Sequence, residues 1–71
     1  MNEEYCKKYL NNINKENKFF LTTNYGCFKV DFFTLESDKI IVEGSYMSID
    51  KSISIDTEIF YKDILNISIL H

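Results

Sequence analysis

The chain has 71 residues and a formal net charge of −3, from eight lysines and eleven acidic residues, and 45% of its residues are hydrophobic. A chain of this length can bury one compact core but not two, so we expect a single domain over residues 1–71. The negative charge argues against a broad basic surface for nucleic acid, and the lack of arginine removes the side chain best suited to phosphate and guanine contacts.

The number of cysteines indicates the cellular compartment in which the protein works. Cys6 and Cys27 allow one disulfide at most, whereas a secreted domain of this size usually carries several. The chain begins MNEEYCKKYL, without an apolar run of signal-peptide length, and no segment reaches the roughly 20 apolar residues that span a bilayer. We therefore expect reduced thiols, a cytoplasmic protein and no membrane partner.

The first segment, about residues 2–16, has the periodicity of an amphipathic helix. Asn2 is a suitable N-cap, and Glu3 and Glu4 lie in the first turn, where negative charge favours the helix dipole. Apolar side chains recur at spacings of three and four on one face: Tyr5, Cys6, Tyr9, Leu10 and Ile13. The helix is therefore expected to cover one end of a sheet.

From about residue 18 to residue 70 the period changes to two, which predicts five strands separated by short turns. The predicted strands are 18–25, 27–35, 39–49, 52–61 and 64–70. Links this short favour antiparallel pairing, because a parallel crossover needs a dozen or more residues. The predicted fold class is α+β, with one N-terminal helix followed by a strongly curved antiparallel meander, and Gly44 marks a bulge or bend within the third strand.

Alternation along the strands predicts which side chains face inward. In the second strand Phe28, Val30 and Phe32 are expected inward, with Lys29, Asp31 and Phe33 outward. Phe33 and Phe60 then either form an exposed apolar patch or are buried by a strong bend of the sheet. The predicted core consists of Leu10, Ile13, Phe28, Val30, Ile53, Ile55 and Ile59.

The sequence lacks the residue types and spacings that common catalytic sites require. His71 is the only histidine and the last residue, so no histidine-based general base is expected on ordered structure. Gly26 and Gly44 are the only glycines, which leaves no phosphate-binding loop, and the carboxylates have no known metal-loop spacing. We expect a protein that is not an enzyme, with no catalytic residues, no metal and no cofactor.

Binding is the function class that remains. Acids on turns and on the polar side of strands either solvate the surface and protect sheet edges or form a functional acidic surface for a basic partner. Together with a few aromatic residues they give the candidate contact residues Phe33, Glu36, Asp38, Glu43, Tyr46, Asp50, Asp56, Glu58 and Phe60.

Four short strings resemble the bacterial Sm-like RNA chaperone family, Hfq. They are Tyr9-Leu10-Asn11-Asn12, the segment 19–26 ending in glycine, the segment 38–42, and Tyr61-Lys62-Asp63-Ile64. The resemblance implies a helix followed by a five-stranded small barrel and a hexameric ring that binds RNA. Lys29, Tyr61 and Lys62 would then lie near the RNA-binding pore.

The sequence differs from that family at two positions and in the length of one loop. Asp63 stands where the family has an RNA-binding histidine, Asp31 stands where it has a glycine, and the loop around Asp50 is longer. A carboxylate at position 63 would repel phosphate.

The predicted function is therefore stoichiometric protein–protein contact by a small acidic module, as a monomer or dimer. The chain has no Pro, Arg or Ala and is rich in Asn, Lys and Ile, a composition that resembles the product of an AT-rich genome. In this composition and in its acidity it is similar to phage or mobile-element inhibitors of nucleic-acid-handling complexes, anti-CRISPR proteins among them. The alternative is a ring-forming, Sm-like RNA-binding protein.

Overall fold

A computed structural model describes residues 2–48 and 52–70. In chain order they form α1 (Glu3–Asn11), β1 (Phe19–Thr23), β2 (Gly26–Leu35), β3 (Lys39–Met47), β4 (Ser52–Phe60), a 3₁₀ turn (Tyr61–Asp63) and β5 (Ile64–Ile69). The predicted α+β class, with one helix before five antiparallel strands, is confirmed.

Helix α1 begins as predicted and ends earlier than predicted. Its N-cap is Asn2, whose Oδ1 accepts hydrogen bonds from the backbone N–H groups of Glu4 and Tyr5 at 2.8 and 3.2 Å. The last residue is Asn11, because the asparagine-rich segment that follows forms local bonds instead. In that segment the Asn14 side chain accepts from the N–H of Glu16 at 3.0 Å.

The five strands form one open sheet in the order β4-β3-β2-β1-β5. Strands β1 to β4 follow one another as a meander, and β5 returns to pair with β1 on the far side. The 3₁₀ turn makes this return possible by redirecting the chain after β4. Within the described residues, β4 and β5 are the two edges, so the sheet does not close into a barrel.

A β-bulge interrupts the pairing of β2 with β3. Val30 pairs with Gly44 and Phe32 pairs with Glu43, which leaves Asp31 as the extra residue. A Cβ atom at Gly44 would collide with the backbone carbonyl oxygen of Lys29, so the bulge requires glycine there. Of the two alternatives predicted at Gly44, a bulge or a bend, the bulge is confirmed.

The bulge also reverses the inward and outward positions that follow it. Phe28 and Val30 are buried as predicted, but Phe32 is exposed and Phe33 turns toward the core, where its ring meets Phe19 edge-on at 5.3 Å. The prediction of Phe32 inward and Phe33 outward is wrong because the extra residue shifts the two-residue alternation by one.

One apolar cluster lies between α1 and the inner face of the sheet. Leu10, Ile13, Phe28, Val30 and Ile59 are buried as predicted, and Ile55 is half-buried against them. Ile53 is 44% exposed, so its assignment to the core is wrong: the inward face loses its cover toward the start of β4. Further buried residues were not in the predicted core: Cys6, Phe19, Leu21, Ile40, Val42, Tyr61, Ile64 and Ile67.

Candidate protein-binding surface

The outer face of β2, β3 and β4 carries an aromatic ring beside two carboxylates. Phe32 is 68% exposed, the largest value among the exposed large hydrophobic residues of the described chain. Its partner across the sheet is Glu43 of β3, and Glu43 in turn lies opposite Asp56 of β4. We refer to Phe32, Glu43 and Asp56 as the acidic patch.

The two carboxylates of the acidic patch face each other without compensation. Glu43 and Asp56 are both exposed, and neither carboxylate has an ion pair or a hydrogen bond to any residue that the structure describes. Like charges directly opposite on adjacent strands destabilise a sheet. Folding therefore leaves repulsion at this place that a positive group from outside could relieve.

The patch borders a shallow depression over the bulge. Its lining residues are Asp31, Phe32, Glu43, Gly44, Ser54, Ile55 and Asp56. Asp31 adds a third carboxylate, and this one is partly neutralised: its Oδ1 lies 3.4 Å from Lys18 Nζ and has no hydrogen bond in the described residues. The depression is thus acidic on its rim, with an apolar ring on one side.

Acids at the other end of β4 are paired. Lys39 Nζ lies 3.3 Å from the Glu58 carboxylate and 3.9 Å from that of Glu36. The hydrogen bond and charge of Glu58, with a smaller contribution from Glu36, raise the pKa of Lys39. The ammonium groups of Lys39 and Lys62 each lie 5.8 Å from the centre of the Phe60 ring. Phe60 is exposed, and its face is occupied by the protein's own cations.

The predicted contact residues do not form one surface. Phe33 is packed against the core, which removes it from the candidate site for the reason given above. Asp38 is exposed in the turn between β2 and β3. Tyr46 is half-buried, and its hydroxyl donates to the Tyr25 carbonyl at 3.2 Å. Asp50 lies outside the described residues.

Sequence reasoning missed Phe32, the exposed ring of the acidic patch. The available signal was Gly44, which marked the bulge but not its consequence for the residues after position 31. Had the alternation been restarted after the bulge, Phe32 would have been placed outward.

The residues of the RNA-binding alternative are in different environments. Tyr61 is 1% exposed and its hydroxyl donates to the Glu36 carbonyl at 2.6 Å, so its ring is part of the core. Lys62 is exposed beside Phe60, whereas Lys29 is half-buried on β2.

A second polar group joins the β1–β2 turn to the 3₁₀ turn, and we call it the turn cluster: Asn24, Tyr25, Tyr46 and Asp63. The Asp63 carboxylate accepts from the Tyr25 hydroxyl at 2.8 Å and from the Asn24 amide at 3.4 Å. Its backbone carbonyl accepts from the Asn24 N–H at 3.1 Å. The hydrogen bond to Asp63, followed by its negative charge, raises the pKa of Tyr25. Asp63 therefore holds two turns together.

Other chemistry in the described residues is limited. Burial raises the pKa of the Cys6 thiol, which makes it a poorer nucleophile at neutral pH. No group of three or more His, Cys, Asp or Glu side chains within residues 2–48 and 52–70 is placed to hold a metal ion. No helix in that part of the chain is long and apolar enough to cross a membrane.

Comparisons with family models, curated proteins and solved structures find no match to this chain. The fold of the described residues is that of a small α+β domain built on one open antiparallel sheet.

Proposed function

We propose that this protein is a non-catalytic binding module that contacts a basic protein surface through the acidic patch. The observation that carries the proposal is the juxtaposition of the exposed Phe32 ring with Glu43 and Asp56, two carboxylates that face each other without a counter-charge in the described residues. Aromatic side chains are enriched at the centre of protein interfaces, and charges around them select a partner of opposite charge.

Lysine or arginine side chains of a partner suit this arrangement. A guanidinium or ammonium group placed between Glu43 and Asp56 would relieve their repulsion, and its alkyl or planar part would lie on the Phe32 ring. The net charge of −3 would also speed encounter with a positive surface. Binding would therefore weaken as salt is added.

The basic surface of a nucleic-acid-handling protein is the partner class we favour. An acidic module could occupy a groove that normally holds phosphate, which is how an inhibitor of phage or mobile-element origin, such as an anti-CRISPR protein, would act. The chain's net negative charge supports this choice over direct nucleic-acid binding.

An NMR titration with a short arginine-rich peptide tests the surface. We expect the largest shift changes at the backbone of β2 to β4 around Phe32, and a loss of affinity of about tenfold, which corresponds to about 1.4 kcal/mol, in E43Q/D56N. The matched control is E3Q/E4Q, which removes the same charge from the exposed first turn of α1. F32A should weaken binding while E3Q/E4Q leaves it within about twofold of wild type.

Equal weakening by both double variants would mean that the peptide responds to net charge alone, and the acidic patch would be rejected as the binding surface.

Fluorescence anisotropy with A-rich and U-rich RNA oligomers tests the alternative, RNA binding by an Sm-like protein. Sub-micromolar RNA binding at about 0.1 M salt that is lost in Lys62→Glu would replace the protein-contact proposal with the Sm-like one.

A further inference from the structure

Strand β5 is an edge of the sheet without the charges or prolines that protect many edge strands, although a β-bulge at Leu65 shifts its pairing with β1 between Thr22 and Thr23. It pairs with β1 on one side, and no strand of the described chain lies on the other. The segment Ile64–Ile69 has no charged residue and no proline. Natural edge strands normally carry charges, prolines or a covering element, because an unpaired row of backbone groups is a template for another strand.

The hydrogen-bonding pattern shows which backbone groups face the open edge. The Leu70 N–H donates to the Lys18 carbonyl of the segment before β1 at 2.9 Å. Because bonding alternates along an antiparallel strand, Ser68 and Asn66 also direct their backbone groups toward β1. The backbone groups of Ile67 and Ile69 consequently point to the open edge.

The side-chain pattern of this edge is symmetric about Ile67. Asn66 and Ser68, one residue away on either side, are polar and exposed. The next positions outward are apolar on both sides: Leu65 and Ile69, then Ile64 and Leu70. Two copies of such a strand, running antiparallel, place polar residues opposite polar residues and apolar residues opposite apolar residues.

We propose that two copies of this chain associate by antiparallel pairing of their β5 edges, with Ile67 on the two-fold axis. The backbone of Ile67 and of the partner's Ile67 would exchange two hydrogen bonds. On the outer face Asn66 would lie opposite the partner's Ser68, and both side chains are polar and exposed. A shift by two residues would instead place Asn66 opposite Leu70, a polar group against an apolar one.

Exposed leucines at both ends of β5 support the same partner. Leu65 is 53% exposed and Leu70 is 37% exposed, and the pairing brings Leu65 next to the partly buried Ile69 of the second copy. The other edge, β4, suits self-pairing less because it carries Asp56 and Glu58. Two β4 strands would bring four carboxylates together, at a cost for each like-charge contact.

The symmetry of this dimer has a consequence for the acidic patch. A two-fold axis between antiparallel edge strands is perpendicular to the sheet, so both outer faces point to the same side. The dimer would present two acidic patches to one partner surface, which raises the apparent affinity without a new contact. The dimer itself depends on β5 and not on the acidic patch.

Sedimentation analysis with two charge variants of β5 tests the pairing. In N66K/S68K each introduced lysine at position 66 faces the introduced lysine at position 68 of the partner, and we expect dimerisation to weaken about tenfold. In N66K/S68E the same position 66 faces a glutamate of the partner, and dimerisation should return to within a few-fold of wild type. Both positions are exposed, and thermal unfolding of the variants checks that each remains folded.

Hydrogen exchange provides a second readout that needs no substitution. The amides of Ile67 and Ile69 should become more protected as protein concentration rises, whereas those of Asn66 and Ser68 should be protected at every concentration. A wild-type protein that stays monomeric over the whole concentration range would overturn the proposal. Equal dimerisation of the two charge variants, or assembly into a closed ring through β4 and β5, would overturn it as well.

Discussion

The turn cluster and the acidic patch both contain carboxylates, but only the carboxylate of the turn cluster is hydrogen-bonded within the described residues. In the turn cluster, Asp63 accepts hydrogen bonds from Tyr25 and Asn24 and joins two turns. In the acidic patch, Glu43 and Asp56 face each other with no such partner in the described residues. The first arrangement contributes to the fold. The second works against it, which is the pattern expected where stability is exchanged for binding.

Substitutions of the two neighbouring phenylalanines of β2 are expected to show the largest difference in stability. Phe33→Ala should destabilise the protein by about 3 kcal/mol, at the lower end for a buried phenylalanine, because its half-buried ring packs edge-on against Phe19. Phe32→Ala should change stability by no more than about 0.5 kcal/mol, because that ring is mostly in solvent. Urea unfolding measures both. Comparable losses in the two variants would show that the bulge does not reverse the faces of β2.

A substitution at the bulge should have the next largest effect on stability. Gly44→Ala should cost about 1–3 kcal/mol, because the added methyl group meets the rigid Lys29 carbonyl and the backbone must move. Ser45→Ala, at the adjacent position, is the control and should remain within about 0.5 kcal/mol of wild type. Thermal unfolding distinguishes them. A Gly44→Ala protein as stable as the control would contradict the close approach of β2 and β3.

Neutralising one acid of the patch should stabilise the fold. Glu43→Gln removes the like-charge contact with Asp56, and we expect a gain of about 0.2–1 kcal/mol that shrinks in high salt. Glu4→Gln, in the first turn of α1, should have the opposite sign because it loses a favourable interaction with the helix dipole. If both substitutions were destabilising in urea titrations, the repulsion assigned to the patch would be absent.

The smallest effect concerns the pH response of the turn cluster. The pKa of Tyr25 is raised above its ordinary value of 10.0, so the folded state holds this proton more tightly than the unfolded chain does. The hydrogen bond to Asp63 therefore stabilises the fold below about pH 10 and is lost as the pH rises toward the raised pKa.

Absorbance titration of the tyrosines measures this shift. Tyr25→Phe should remove one late-titrating group, and its difference in unfolding midpoint from wild type should shrink as the pH rises from about 10 through the raised pKa of Tyr25. Asp63→Asn should move the Tyr25 titration back toward the ordinary value because it removes the negative charge. An unchanged titration in Asp63→Asn would exclude Asp63 as the cause.

The secondary structure followed closely from the sequence. The change of period after position 17 separated the helix from the strands, and the turn residues located the strand ends within two residues or so of their observed positions. These features depend on neighbours in the chain. The helix end was less predictable: Asn11 closes α1, although apolar spacing continues to the buried Ile13. Local asparagine hydrogen bonds competed with the helix there.

The candidate site was predictable only in part. Glu43 and Asp56 were recognised as candidates because acids on the polar side of strands are visible in the sequence. Their opposition to each other depends on the register of β3 with β4, which the sequence alone left undetermined. Phe32 was misplaced because one extra residue in β2 changes the direction of every side chain after it.

By itself, the sequence determined the class of the fold, the order of its elements and the acidic character of its surface, since propensity, periodicity and charge are properties of short segments. Only the tertiary structure decided that β5 lies beside β1, that Phe32 and not Phe33 faces solvent, and which carboxylates are paired. Those features depend on contacts between residues far apart in the chain. Their geometry is set when the sheet assembles around its core, because a register or a bulge is selected by the packing of all the strands together.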